Sequence, residues 1–293
     1  MGKRLTPEQI AERRAKRAER RGTQDNGKNE AEPMFIEGSV RPYQRHYVVV
    51  EAQGKDPMSW PAKLEMSPEH LVGSYVREVA QYFNGNIKKS PLLVTAAIPY
   101  TGACGSQIAQ VEKTEKATEE GAHDILVFPE CVRVHNVVPS KIGALTTKSF
   151  EEGFDLLALL QEENLQYTPL EKGYHMMVCG HGARDERCGC KGPELLEWLK
   201  NATAKANKPV NLWTSSHYGG HRYAAACIVY PSGDWFGLLN DESKATNLLT
   251  AMDDEDPLRL YELWRGRIGL TPPEMYQAVK DRAEPSEDIA ENA

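Results

Sequence analysis

One order of elements is written twice along this chain, and that repetition restricts the fold more than any other feature. In the first half, residues 46–52 (HYVVVEA) read as a strand. The run from Pro68 (PEHLVGSYVREVAQYF) reads as an amphipathic helix capped by Ser67. A buried strand is expected at 91–98, a polar helix at 106–120, a hairpin from 124–128 and 132–137, and a helix over 148–161. The second half repeats this with a strand at 174–178 (YHMMV), a helix opening at Pro193 and a strand at 210–214. A hairpin follows from 225–230 and 235–239 across the turn Pro231-Ser232-Gly233-Asp234, then a last helix over 256–264. The phrases ILVFP (125–129) and CIVYP (227–231) occupy the same place in each half. Strand–helix–strand implies a right-handed parallel crossover, to which each hairpin adds antiparallel strands. The expectation is an α/β fold of two tandem thioredoxin-like units.

Composition narrows the class. Hydrophobic residues at 40% and charged residues at 26% suit a globular chain, and no apolar run reaches the roughly 18 residues of a membrane span. A net charge of -7 disfavours sequence-independent nucleic-acid binding. Six cysteines in 293 residues are too few for a disulfide scaffold, which places the chain in a reducing compartment where clustered cysteines suggest metal or redox chemistry. Residues 1–33 are basic, and Thr6, Pro7 and Gln9 give a helix start before IAERRAKRAERR. A frayed or disordered segment is expected there, because transit peptides are poor in acids and this stretch is not. The expected location is the cytoplasm, with mitochondria as the alternative. The remaining segments are a degenerate unit at 34–165, a second unit at 166–268 and an acidic flexible tail at 269–293.

The chemistry gathers in the second half. CGHGARDERC puts Cys179 at a strand end and Cys188 nine positions later, before Gly192-Pro193; HYGGH puts His217 and His221 around two glycines after the next strand. The carboxyl ends of neighbouring parallel strands lie side by side, so the two loops should meet as a thiolate pair and an imidazole pair. Zinc accepts Cys2His2, although its structural sites usually use closer pairs. A 2Fe-2S cluster spreads four ligands over two irons, and replacing two thiolates by imidazoles raises its potential.

The C-x8-C and H-x-G-G-H combination, with Arg184 and Asp185 inside CGHGARDERCG, resembles the sucrase/ferredoxin-like family. HDILVFPECVRVHNV and WPAKLEM are similar to it too, and the likeness covers roughly residues 40–265. The resemblance implies that 166–268 is a thioredoxin-like ferredoxin domain. It also implies a 2Fe-2S cluster on Cys179, Cys188, His217 and His221. Cys190, two residues beyond Cys188, competes as the second thiolate. His181 is expected to hydrogen-bond a cluster sulfur, Arg184 to offset cluster charge, and Asp185 to hold Arg184 or an imidazole. The family name suggests a sugar hydrolase, but no pair of carboxylates marks one.

The functional expectation is an electron-transfer or redox-sensing protein with unidentified donor and acceptor proteins, its histidines coupling electron uptake to proton uptake. A zinc-stabilised interaction module on the same ligands is one alternative. A thiol oxidoreductase acting through Cys104, in YTGACGSQ, is another. No glycine-rich dinucleotide fingerprint follows a strand.

Overall fold

Continuous apolar runs such as RHYVVV and YHMMVC can be satisfied only where both faces of a strand are covered. In the computed structural model, which describes residues 36–100, 119–204 and 209–283, these runs form the middle of one mixed sheet. Its strands are β1 (Arg45–Val50), β2 (Leu92–Pro99), β3 (His123–Phe128), β4 (Val132–Val137), β5 (Tyr167–Pro169), β6 (Tyr174–Cys179), β7 (Val210–Ser215), β8 (Cys227–Tyr230), β9 (Asp234–Phe236) and β10 (Trp264–Arg267). They lie in the order β10-β9-β8-β6-β7-β2-β1-β3-β4-β5.

The repeated element order has a spatial counterpart. β1 pairs with β2 in parallel and with β3 antiparallel, and β6 treats β7 and β8 in the same way. The halves meet where β2 and β7 pair antiparallel, with Ala97 opposite Ser215. Ser216 extends this seam, because Ala96 N donates to its Oγ at 2.9 Å and its own N donates to Ala96 O at 2.8 Å. The serine ladder runs directly into His217.

Six helices complete the described chain: α1 (Leu71–Tyr82), α2 (Ile142–Lys148), α3 (Leu156–Glu162), α4 (Glu186–Thr203), α5 (Glu242–Asp253) and α6 (Pro272–Ala283). Several differ from the sequence expectation. The cap of α1 is His70, whose Nδ1 accepts from Val72 N, and not Ser67. The single helix expected over 148–161 is two short ones, and Asp155 caps the second. The segment at 256–264 is a short 3-10 turn (Pro257–Leu260) running toward β10, whereas α5 was not foreseen. Part of the supposed flexible tail is α6, which buries Met275 and Val279. The basic segment 1–33, Cys104, most of the helix expected at 106–120 and residues 284–293 lie outside the described residues.

A buried polar contact links the halves across the sheet. His46 Nδ1 lies 2.7 Å from Tyr230 Oη on β8, and its Nε2 lies 2.8 Å from Thr95 Oγ1 on β2. Tyr230 also stacks on Phe128, with centroids 3.7 Å apart. Burial, with a smaller contribution from Arg41, lowers the His46 pKa to about 3. An unfolded histidine takes up its proton near 6.5. The unfolded chain therefore binds more protons below that pH, and stability falls as pH drops from about 6.5 toward 3. Urea unfolding across this range should show a shallower loss for His46→Gln than for the parent; identical slopes would refute the assignment.

Candidate metal centre

Parallel pairing of β6 and β7 places Cys179 level with Ser215, so the chain leaves both strands at one end of the sheet. Cys179 closes β6. Ser216 and His217 follow β7 immediately, which sets an imidazole over the thiol: Cys179 Sγ lies 3.7 Å from His217 Nδ1. The second sulfur arrives differently from the sequence expectation. Helix α4 begins at Glu186, well before Pro193, and Asp185 caps it by accepting from Arg187 N. Cys188 thus sits in the first helical turn and not in a long loop.

Close backbone approach brings that turn to the strand. A Cβ on Gly192 would lie 2.3 Å from Cys179 O, and one on Gly189 would lie 2.6 Å from Gly182 Cα. The result is a compact donor set. Cys179 Sγ, Cys188 Sγ and one His217 nitrogen all lie within 4.8 Å of one another. Both cysteines are 2% exposed, which separates them from the exposed Cys190.

The thiols are electrostatically unequal. The hydrogen bond shared with Cys188, followed by burial, raises the Cys179 pKa. The same hydrogen bond and the neighbouring His217 lower that of Cys188, as does a helix N-terminus in general. Such a pair gives up its first proton readily and holds its second until a metal or thiol-binding electrophile takes the sulfur and releases that proton to water.

His221 stands outside the three-atom group. Its ring stacks on His217 at 5.6 Å between centroids, and its Nε2 lies 3.9 Å from Asp185 Oδ2. The other expected site residues act through position. His181 reaches the Cys179 thiol through its backbone N–H, and its ring turns to other partners. Its Nε2 donates to Pro61 O at 3.1 Å, and its Nδ1 accepts from His217 N at 3.2 Å. Arg184 does not pair with Asp185; it donates to Ala62 O and lies 3.6 Å from Glu65. Asp185 binds Arg187, which holds its carboxyl down at about 2. The WPAKLEM phrase of the first half is thereby built into the wall of the site.

Two residues that support the histidine loop escaped the sequence reading. Tyr218 Oη contacts Ala226 O at 2.7 Å and accepts from Cys179 N at 3.2 Å, pinning the loop to the end of β6. Arg265, 1% exposed, lies between the Tyr223 and Trp235 rings and reaches Ser39 Oγ at 3.1 Å. It forms no ion pair among the described residues. Its guanidinium fills the space that a Cβ on Gly220 would need, at 2.2 Å, and Gly220 itself has φ +78°. No local motif could reveal it, because it is 44 positions beyond His221.

A sucrase/ferredoxin-like family model matches residues 36–266. The chain belongs to that family. Among its relatives is a protein from Debaryomyces hansenii named "Altered inheritance of mitochondria protein 32", 25% identical over 251 residues, covering 78% of this chain and 84% of the relative. A protein of the same name from Eremothecium gossypii is 25% identical over 224 residues, covering 66% of this chain and 65% of the relative. Another from Candida glabrata is 36% identical, but over only 76 residues, 25% of this chain and 23% of the relative. The chain therefore spans most of the first relative, slightly under two thirds of the second and about a quarter of the third. No solved structure matches.

These relatives overturn the functional expectation. Their names concern mitochondrial inheritance, and neither they nor the family match supports an iron–sulfur electron carrier, a redox sensor, a zinc interaction module or a Cys104 oxidoreductase. The mitochondrial alternative for location is compatible with those names. No helix among the described residues is long and apolar enough to cross a membrane.

The approach of α4 to β6 has a direct test. Gly192→Ala forces backbone against backbone, which should cost about 1–3 kcal/mol of stability and draw Cys188 away from Cys179. Urea unfolding reads the first effect. Phenylarsine oxide, which bridges two close thiols, should be captured by the reduced parent and poorly by the variant. Equal capture would show that Gly192 does not set the spacing.

Proposed function

We propose that this protein acts in the inheritance of mitochondria through a metal centre held by Cys179, Cys188, His217 and His221. The observation that carries the metal reading is the convergence of two buried sulfurs and an imidazole nitrogen within 4.8 Å. Metal–sulfur bonds of about 2.3 Å and metal–nitrogen bonds of about 2.0 Å put neighbouring ligands roughly 3.5 Å apart. The 3.7 Å between Cys179 and His217 is of that order. The mitochondrial role rests on the names of the relatives.

Thiolate and imidazole donors suit iron and its sulfide clusters. The occupant we propose is the 2Fe-2S cluster that the family resemblance implies, with no electron-transfer role attached to it. When bound, such a group would cross-link the end of β6, the first turn of α4 and the loop after β7, stabilising the native state by mass action. The chain's own residues prepare for it. His181 orients His217 through its backbone N–H, Tyr218 fixes the loop, and the buried Arg265 puts positive charge beneath it. His221, exposed and stacked on His217, is the residue that has to move onto the centre. We also read the halves as tandem thioredoxin-like units, 34–165 and 166–268, because their strand orders β2-β1-β3-β4 and β7-β6-β8-β9 match.

Protein purified anaerobically from iron-replete cells should carry about two irons and two acid-labile sulfides per chain, and Cys179→Ser with Cys188→Ser should carry neither. Folded, metal-free parent protein would refute the centre. In Debaryomyces hansenii lacking its relative, the chain should restore mitochondrial inheritance and the double variant should not. Full rescue by the double variant would separate the cellular role from the metal.

A further inference from the structure

Five buried side-chain polar atoms among the described residues have no hydrogen-bond partner, and three of them, His175 Nδ1, Asn211 Nδ2 and Trp213 Nε1, sit on residues that line one pocket, the atoms themselves being shielded from solvent. Chance does not readily gather them. A folded protein pairs nearly all its buried polar groups, because an unpaired one forfeits its hydration with nothing in return. The three side chains are 4%, 5% and 4% exposed. Register explains their proximity: His175 on β6 is level with Asn211 on β7, and Trp213 is two residues further along, so alternation sets all three on one sheet face. The His175 and Trp213 rings are stacked, with centroids 6.4 Å apart.

The pocket has a volume of about 340 Å³, within the range of small-molecule sites. Leu126, Pro169 and Leu170 give it apolar walls, and charged groups on Arg133 and Glu171 line it as well. It is separate from the metal centre, since His175 precedes Cys179 by four residues, about 13 Å along a strand.

The unpaired atoms define a chemical pattern. Trp213 Nε1 and Asn211 Nδ2 are donors. The other nitrogen of His175 lies 3.3 Å from Glu171 O and so carries the ring hydrogen, which leaves Nδ1 as a bare acceptor. Burial favours that neutral ring. A ligand must therefore present a hydrogen-bond acceptor to the two donors and an N–H to His175. We infer that this pocket binds a small planar molecule with a carbonyl beside an N–H, a carboxamide or a heteroaromatic lactam, through His175, Asn211 and Trp213. The flat ring would lie among Trp213, Leu126 and Leu170, and a small turn of the His175, Asn211 and Trp213 side chains would bring their three buried atoms onto the amide edge. This site stands whether or not the metal centre is loaded.

The test uses the full chain labelled with 15N at the tryptophan indoles, the Trp213 signal being assigned with Trp213→Phe. Nicotinamide represents the carboxamides, uracil the lactams, and benzoate, which has acceptors but no N–H, is the control. At least one amide probe should shift the Trp213 indole resonance with a dissociation constant on the order of 1 mM or below, and benzoate should bind at least tenfold more weakly. The arm that binds more tightly identifies the class. Asn211→Leu should weaken the amide probe at least tenfold while leaving the melting temperature of the free protein unchanged or higher, because it removes an unpaired donor. The proposal is overturned by no shift with either amide up to its solubility, by equal binding of benzoate, or by a large fall in melting temperature for Asn211→Leu.

Discussion

The parallel pairing of β6 with β7 is the contact on which the rest of the second half depends. It sets Cys179 level with Ser215 and so delivers a thiol and an imidazole to one end of the sheet. Everything else at the centre is an addition to that register. The seam between β2 and β7 anchors Ser216, the residue before His217, to the first half of the chain. Helix α4 then lays Cys188 against the strand end through two glycines that permit backbone contact. A slip of one residue in the β6–β7 register would turn Cys179 to the other face and dissolve the donor set.

The first half is more than a spectator to this arrangement. Pro61 O holds His181, which in turn holds His217, while Ala62 O and Glu65 hold Arg184. The Trp60 ring meets His181 edge-on at 5.4 Å. One half carries the sulfurs and imidazoles, and the other fixes the residue that orients them. This division gives a physical reason for both halves to share one sheet. The same sheet face that ends in Cys179 begins at His175, so two chemically different places draw on a single register.

Much of this was legible in the sequence. The strand-end positions of Cys179 and His217 followed from the apolar runs before them, and the repeated element order anticipated the pairing of each half. The start of α4 was hidden because Gly189, Gly192 and Pro193 read as breakers; contact with Cys179 O outweighs their poor helix propensity. The Arg184–Asp185 pair misled for a related reason, since Asp185 is consumed by capping α4 and by Arg187. Arg265 and Tyr218 were invisible as supports, because contacts across 46 and 39 residues leave no local spacing to read. The function was the least legible element, since a donor set specifies what it can bind and not what the cell uses it for.

The most direct measurement is a crystal structure of anaerobically purified protein with diffraction data collected at the iron absorption edge. Anomalous density is expected within about 2.0–2.4 Å of Cys179 Sγ, Cys188 Sγ and His217 Nδ1. Density elsewhere, or none at these three atoms in protein from iron-replete cells, would contradict it.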